Sequence, residues 1–205
     1  SLGGLVVAAL LAERKPDLLC AAISAPPLEL GPGVSRMRLR LARPRANIID
    51  AAMIAALDAA FRDQRHPPAR AALLDQDGPH FSFGASVEEH LPANCAAMIA
   101  SLHALLLRML EWPAPVLVAV KGQCLGGGLE LALAGSRIFA SPDAQFGQPE
   151  IKLAVIAPAA SCLLPFRVNQ QCAEDLLFSG RSLGADEALR AGLVEMVRAS
   201  IVGAL

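Results

Sequence analysis

The reading of this chain turns on Val116-Leu117-Val118-Ala119-Val120-Lys121-Gly122-Gln123-Cys124-Leu125-Gly126-Gly127-Gly128-Leu129-Glu130, an apolar run, a glycine triplet and an acid. Val116 to Val120 is continuously apolar, which suits a strand covered on both faces. Leu129 to Leu133 has helical character, so the glycines stand between a strand and a helix N-terminus. Bare backbone N–H groups at such a place favour an anion, or an oxygen that becomes negative during a reaction. The Gly-Lys-Ser/Thr ending of a P-loop is missing, and G-x-G-x-x-G does not fit. Taken alone, the triplet serves equally well as a turn that lets a helix pack closely.

Glu130 lies one short turn into that helix, in a segment otherwise too apolar to welcome a charge. A second acid in a similar setting ends Phe146-Gly147-Gln148-Pro149-Glu150. An acid in apolar surroundings needs a partner or a function. Two carboxylates on one water can divide the work, one removing a proton while the other donates one. Spacing alone does not establish that they converge.

Working outward, Arg36 to Leu41 alternates arginine with Met37, Leu39 and Leu41, the period of a half-buried strand. Asp50 is placed to cap a helix running to about Asp63, with Ile54, Leu57 and Phe61 on one face. Residues 71–74 read as a strand leading into the turn Asp77-Gly78-Pro79, and Phe81 to Val87 as strand passing into loop. Residues 95–110 predict a buried helix, stopped by Trp112-Pro113-Ala114-Pro115. Arg137 to Ala140 returns to strand, and two or three short helices follow, punctuated by Gly180, Gly184 and Gly192. Strands alternating with helices predict one α/β domain.

Composition narrows the function. The 205 residues are 54% hydrophobic, yet no apolar run reaches eighteen residues, so no membrane span is expected. A formal net charge of -1 offers no electrostatic footprint for nucleic acid. The five cysteines are odd in number and form no C-x-x-C pair. That argues against a disulfide framework or structural zinc and for a reducing compartment, read as the cytoplasm. Cys124 beside the glycines is a weak nucleophile candidate, and His80, His90 and His103 read as structural or surface residues, with His90 near enough to the 81–87 loop to line a pocket. Residues 1–25 read as a leader or irregular segment before a domain at 26–205; a secretory signal is disfavoured because no basic segment precedes Gly3 to Ala12.

From Pro115 to Glu150, and more loosely from residue 36 to 197, the chain resembles the crotonase superfamily of enoyl-CoA hydratases and isomerases. The resemblance rests on the apolar strand, the glycine triplet before a helix, and Asp-Ala-Gln-Phe-Gly-Gln-Pro-Glu at Asp143 to Glu150. It implies an α/β crotonase-like fold of repeating strand–strand–helix turns. It also implies catalytic roles for Glu130 and Glu150, and an oxyanion hole from the N–H groups of Gly127 and Ala85, the latter in Phe83-Gly84-Ala85-Ser86-Val87. The same resemblance implies a substrate-binding set of Arg45, Ala46, Phe83, Gly84, Ser86, Val87, Leu125, Gly126, Pro149 and Pro158. No metal or redox cofactor is implied, because coenzyme A belongs to the substrate.

Having both glutamates favours hydration of an acyl-CoA thioester over double-bond isomerisation, other acyl-CoA reactions of the superfamily, or a non-catalytic role as a CoA-binding or assembly subunit. Phe81 to Pro92 and Ala157 to Pro165 are most similar to the cyclic dienoyl-CoA hydratases, implying cyclohexa-1,5-diene-1-carbonyl-CoA as substrate and 6-hydroxycyclohex-1-ene-1-carbonyl-CoA as product. Ser86 stands where the family usually has Asp. Pro158 replaces a glycine, which either reshapes the acyl pocket or merely starts a helix. Arg45 matches a position near the nucleotide in relatives, where a phosphate contact or a solvated surface arginine both fit. The resemblance further implies a homotrimer or hexamer, and the sequence is expected to lack the family's last C-terminal helices.

Overall fold

The structure is a computed structural model that describes residues 36–43, 46–62 and 69–197. Its main sheet is built from β1 (Arg36–Leu41), β2 (Ala71–Gln76), β3 (Val116–Val120), β5 (Arg137–Ala140) and β8 (Met196–Val197), side by side in that order and all parallel. The alternating arginines of β1 have a specific purpose. Arg40 lies opposite Asp75 of β2, and Arg38 and Arg40 donate to that buried carboxylate at 2.5–3.4 Å. A buried charge survives in a sheet only when paired in this way.

A second layer holds β4 (Gln123–Leu125), β6 (Gln145–Gly147) and β7 (Ser182–Gly184); β4 and β6 are parallel, β6 and β7 antiparallel. Single parallel bridges extend it, Ser82 to Cys124 and Ile49 to Ala85. Each of β1, β2, β3 and β5 is thus followed by a segment in the second layer and then by a helix. The repeating strand–strand–helix turn expected from the sequence is present among the described residues. The helices are α1 (Ala51–Arg62), α2 (Cys95–Glu111), α3 (Gly127–Leu133), α4 (Pro158–Leu163), α5 (Gln170–Ser179) and α6 (Ala185–Arg190).

Asp50 caps α1 as the sequence suggests, its carboxylate accepting the Met53 N–H at 2.8 Å. The α1 face of Ile54, Leu57 and Phe61 is buried, with Phe61 meeting Trp112 edge-on at 5.8 Å between ring centroids. Two expectations need correction. Residues 95–111 are not buried all round; Met98, Leu102, His103, Leu105, Leu106 and Met109 are buried while the rest of α2 is more open, as on an amphipathic helix that covers a core. The three-residue strands β4, β6 and β7 went unforeseen, being too short for a period to show. The expected leader at 1–25 lies outside the described residues.

The larger core cluster includes Leu74, Val118, Leu129, Leu131 and Phe146, and a smaller one holds Leu73, Leu117, Ala119 and Phe139. Helix α3 is buried along its whole length, so its carbonyl end needs partners from the protein. Arg167 supplies them, donating to the carbonyls of Leu133 at 2.9 Å, Ser136 at 3.0 Å and also Gly135. Arg167→Met should therefore lower unfolding stability by about 2–3 kcal/mol, from charge-assisted bonds lost and carbonyls stranded. Urea denaturation checks this; a change below about 0.5 kcal/mol would show that water replaces the guanidinium.

Candidate active site

Helix α3 begins at the glycine triplet, two residues before the start the sequence suggests, and each glycine is forced by a different neighbour. Gly126 takes φ 53 at the N-cap, and a Cβ there would collide with the Glu150 carboxylate. A Cβ on Gly127 would lie 3.1 Å from the Ala85 nitrogen. One on Gly128 would sit 2.6 Å from Ser82 Cβ. The triplet lets three other segments touch one helix turn.

Ala85 comes from the loop after β2. In its parallel bridge it is the neighbours that bond Ile49: Gly84 O accepts from Ile49 N at 2.9 Å and Ser86 N donates to Ile49 O at 3.1 Å. The Ala85 N–H is turned away from that pairing. Among the described residues neither it nor the Gly127 N–H donates to a protein acceptor. Two backbone N–H groups without a protein acceptor, one of them at a helix start, are donors of the kind that can stabilise a developing negative charge.

Glu130 is 4% exposed, and its Oε1 accepts N–H bonds from Ala159 at 3.0 Å and Ala160 at 2.9 Å, in the first turn of α4. Pro158 occupies the first position of that helix, where a missing N–H costs nothing, and the two donors after it are committed to Glu130. Burial raises the Glu130 carboxyl above its usual range, while the Ala160 and Ala159 N–H groups and nearby His90 favour its charged form. Glu150 sits in the turn after β6. Burial pushes its carboxyl up to about 7, its own backbone N–H opposes the rise, and the Glu130 charge adds to it. The Glu150 carboxyl packs at the Gly126 N-cap of the helix that carries Glu130, close enough for the Glu130 charge to add to its rise.

Gln148, which sequence reasoning missed, is fully buried. With its nitrogen toward Glu150 the carboxamide donates to the two carboxylate oxygens at 2.7 and 3.2 Å.

The other expected residues divide. Leu125 and Gly126 border the pocket through β4 and the N-cap; Pro149 starts the turn that carries Glu150. Gly84 packs on the Leu125 carbonyl with φ 104. Phe83 stays 43% exposed against the His80 ring, and Val87 is exposed. Ser86, lacking the usual carboxylate, spends its hydroxyl on the Glu89 N–H at 3.4 Å. Ala46 lines a separate cleft with Arg43, Asn47, Asp77 and His80. Arg45 lies outside the described residues. Cys124 is fully buried and its thiol is raised well above the usual range by that burial, which removes it as a nucleophile. Among the described residues no three potential ligands cluster for a metal, and no helix is long and apolar enough to cross a membrane.

The Glu150 shift has a stability signature. The carboxyl ionises near 4.5 when unfolded and near 7 when folded. The folded state therefore holds the proton more tightly, and this contribution is full below pH 4.5 and lost as pH rises through 7. Glu150→Gln should gain stability over the unsubstituted protein by about 1–3 kcal/mol on going from pH 4.5 to pH 7.5. Urea unfolding at both pH values tests it; a pH-independent difference would contradict the shift.

Comparison with known proteins agrees with this geometry. Residues 32–202 match the enoyl-CoA hydratase/isomerase family. The chain is 63% identical over 164 residues to cyclohexa-1,5-dienecarbonyl-CoA hydratase of Thauera aromatica, covering 80% of this chain and 64% of that protein. It is 34% identical over 167 residues to carnitinyl-CoA dehydratase of Salmonella typhi, covering 78% and 64%. The chain thus spans about two thirds of the length of these relatives, 64% in each case. The enoyl-CoA hydratase of Thermoplasma volcanium GSS1 superposes with a TM-score of 0.76 at 30% identity, over 80% of this chain and 68% of that one. The Mycobacterium smegmatis enoyl-CoA hydratase gives 0.77 at 28%, over 84% and 69%. The α/β fold is the crotonase-type fold of those hydratases, and with the match running through nearly all the described residues, the chain belongs to the enoyl-CoA hydratase/isomerase family.

Proposed function

We propose that this chain adds water to a conjugated enoyl or dienoyl thioester of coenzyme A, with cyclohexa-1,5-diene-1-carbonyl-CoA as its substrate. The observation that carries the reading is the pair of burial-raised carboxyls, Glu130 and Glu150, with two N–H groups on Ala85 and Gly127 that have no protein acceptor. The 63% identity to the Thauera aromatica hydratase supports the cyclic diene over a linear chain. Arg45 and Ala46 are assigned to the coenzyme end, and the Phe83–Val87 loop with Leu125 and Pro158 to the acyl end.

The steps follow from the chemistry. The thioester oxygen sits between the Ala85 and Gly127 N–H groups, which stabilise negative charge as it develops there; donors of this kind contribute roughly 3–4 kcal/mol each. Glu130, held toward its ionised form by two backbone donors, takes a proton from water as the oxygen bonds to the ring carbon β to the carbonyl. The electron pair moves into a dienolate. Glu150, protonated near neutrality, delivers its proton to the far end of the second double bond. The ring then keeps one double bond beside the thioester carbon and one hydroxyl on the other side, which is the 6-hydroxycyclohex-1-ene product with the mass of one water gained.

Incubating the protein with the cyclic diene thioester and with crotonyl-CoA, followed by absorbance and mass, tests the proposal. Turnover of the diene with an 18 Da gain is expected, with crotonyl-CoA at least about 10-fold slower. Faster crotonyl-CoA turnover would replace the cyclic substrate with a linear one. Isomerisation without mass gain, or thioester binding without turnover, would overturn hydration.

In the same assay Glu130→Gln and Glu150→Gln should each lower kcat by about 100-fold or more. Gly127→Ala, whose methyl fills the space between the donors, should lower kcat by about 100-fold or more while the protein stays folded. Full activity in any of the three would remove that residue from the mechanism. The same reading carries assembly as a homotrimer or hexamer, measurable by light scattering; exposed Leu153, Ile156 and Phe178 are apolar residues for such an assembly to cover.

A further inference from the structure

The two sides of the oxyanion pocket differ in how they are held. Gly127 belongs to a wholly buried helix. Ala85 belongs to a surface loop with one bridge to Ile49. Upstream, the loop is fixed from behind: Ser82 Oγ donates to Asn47 O at 2.7 Å and accepts the Gly84 N–H at 3.1 Å. Immediately downstream, Ser86 N is engaged with Ile49, and the Ser86 carbonyl meets the imidazole of His90 at 2.7 Å from Nδ1. A carbonyl only accepts, so Nδ1 carries a proton and donates.

His90 ends a 3-10 turn, Glu88–His90, which is itself anchored. The Glu89 carboxylate accepts the Ala51 N–H at 3.0 and 3.2 Å, at the start of α1. The turn therefore ties the Ala85 loop to a helix end, an acid at a helix N-terminus being well placed electrostatically. The last link of that tie to residue 86 is the imidazole.

We propose that His90 is a positioning residue: through Nδ1–H to the Ser86 carbonyl it fixes the Ser86–Val87 peptide, two peptide units beyond the one that carries the Ala85 N–H, and so keeps that N–H aimed beside that of Gly127. The inference rests on the hydration reading for its effect on rate, though not for its effect on the loop. Both the neutral Nδ1–H tautomer and the imidazolium make this bond, so it does not depend on the charge His90 carries.

Three substitutions separate bond, charge and ring. Asparagine places an amide N–H near the Nδ1 position, glutamine places one near Nε2, and alanine places none; all three remove the charge that His90 presents to Glu130. His90→Ala should lower kcat about 10-fold with KM changed less than about twofold. His90→Asn should recover to within about threefold of the unsubstituted protein, and His90→Gln should resemble His90→Ala. Amide hydrogen exchange over residues 83–91 should quicken about 10-fold in His90→Ala and stay unchanged in His90→Asn. Rescue by glutamine instead of asparagine, equal loss in all three, or unaltered exchange in His90→Ala would each overturn the proposal. Were the unsubstituted protein inactive on every thioester, hydration would fall, and the exchange comparison alone would decide whether His90 holds the loop.

Discussion

Everything at the site depends on the parallel pairing of short second-layer segments. Ser82 bridges Cys124, and β4 pairs with β6 so that Leu125 lies opposite Gly147. Ala85, Gly127 and Glu150 each follow one of these segments by a few residues. The pairing therefore sets one donor, the other donor and one acid side by side, although they are remote in sequence. The glycine triplet is the complement of the constraint, since Ala85, Ser82 and Glu150 all press on the same turn of α3.

Two acids in one apolar region would repel unless their environments differed. Glu130 is tied at one oxygen by two N–H donors of α4, which favour the carboxylate against its burial. Glu150 is raised chiefly by burial, opposed by its own backbone N–H, and the Gln148 amide donates to its oxygens. Burial nonetheless raises both carboxyls, so the N–H donors moderate the rise at Glu130 without reversing it. Pro158 contributes by position: starting α4 where it does brings the next two N–H groups to Glu130.

The strands β1, β3 and β5 were legible because apolar runs and alternation over four to six residues leave a clear period. Asp50 was legible as a cap for a local chemical reason. The second layer was not, since three-residue strands carry too little pattern and their pairing is decided by tertiary contact. Glu130 and Glu150 stood out as charges among apolar neighbours, yet only the fold brings them to one region. Gln148 stayed hidden because an amide is unremarkable in sequence until its burial is known, and His90 because its partner is a backbone carbonyl.

The assembly of the pocket from consecutive second-layer segments also bears on how the chain acquires it. Parallel neighbours must be joined by a crossover through another layer, so none of these contacts forms as a local hairpin. Closing each such loop costs entropy before any pairing is rewarded, which makes non-local parallel topology slow to form. Helices such as α1 and α2 can take shape early from nearby residues. The aligned N–H groups of Ala85 and Gly127 exist only once successive crossovers are complete. A chain trapped one turn short would keep much of its helix and core and still lack that pair of N–H groups.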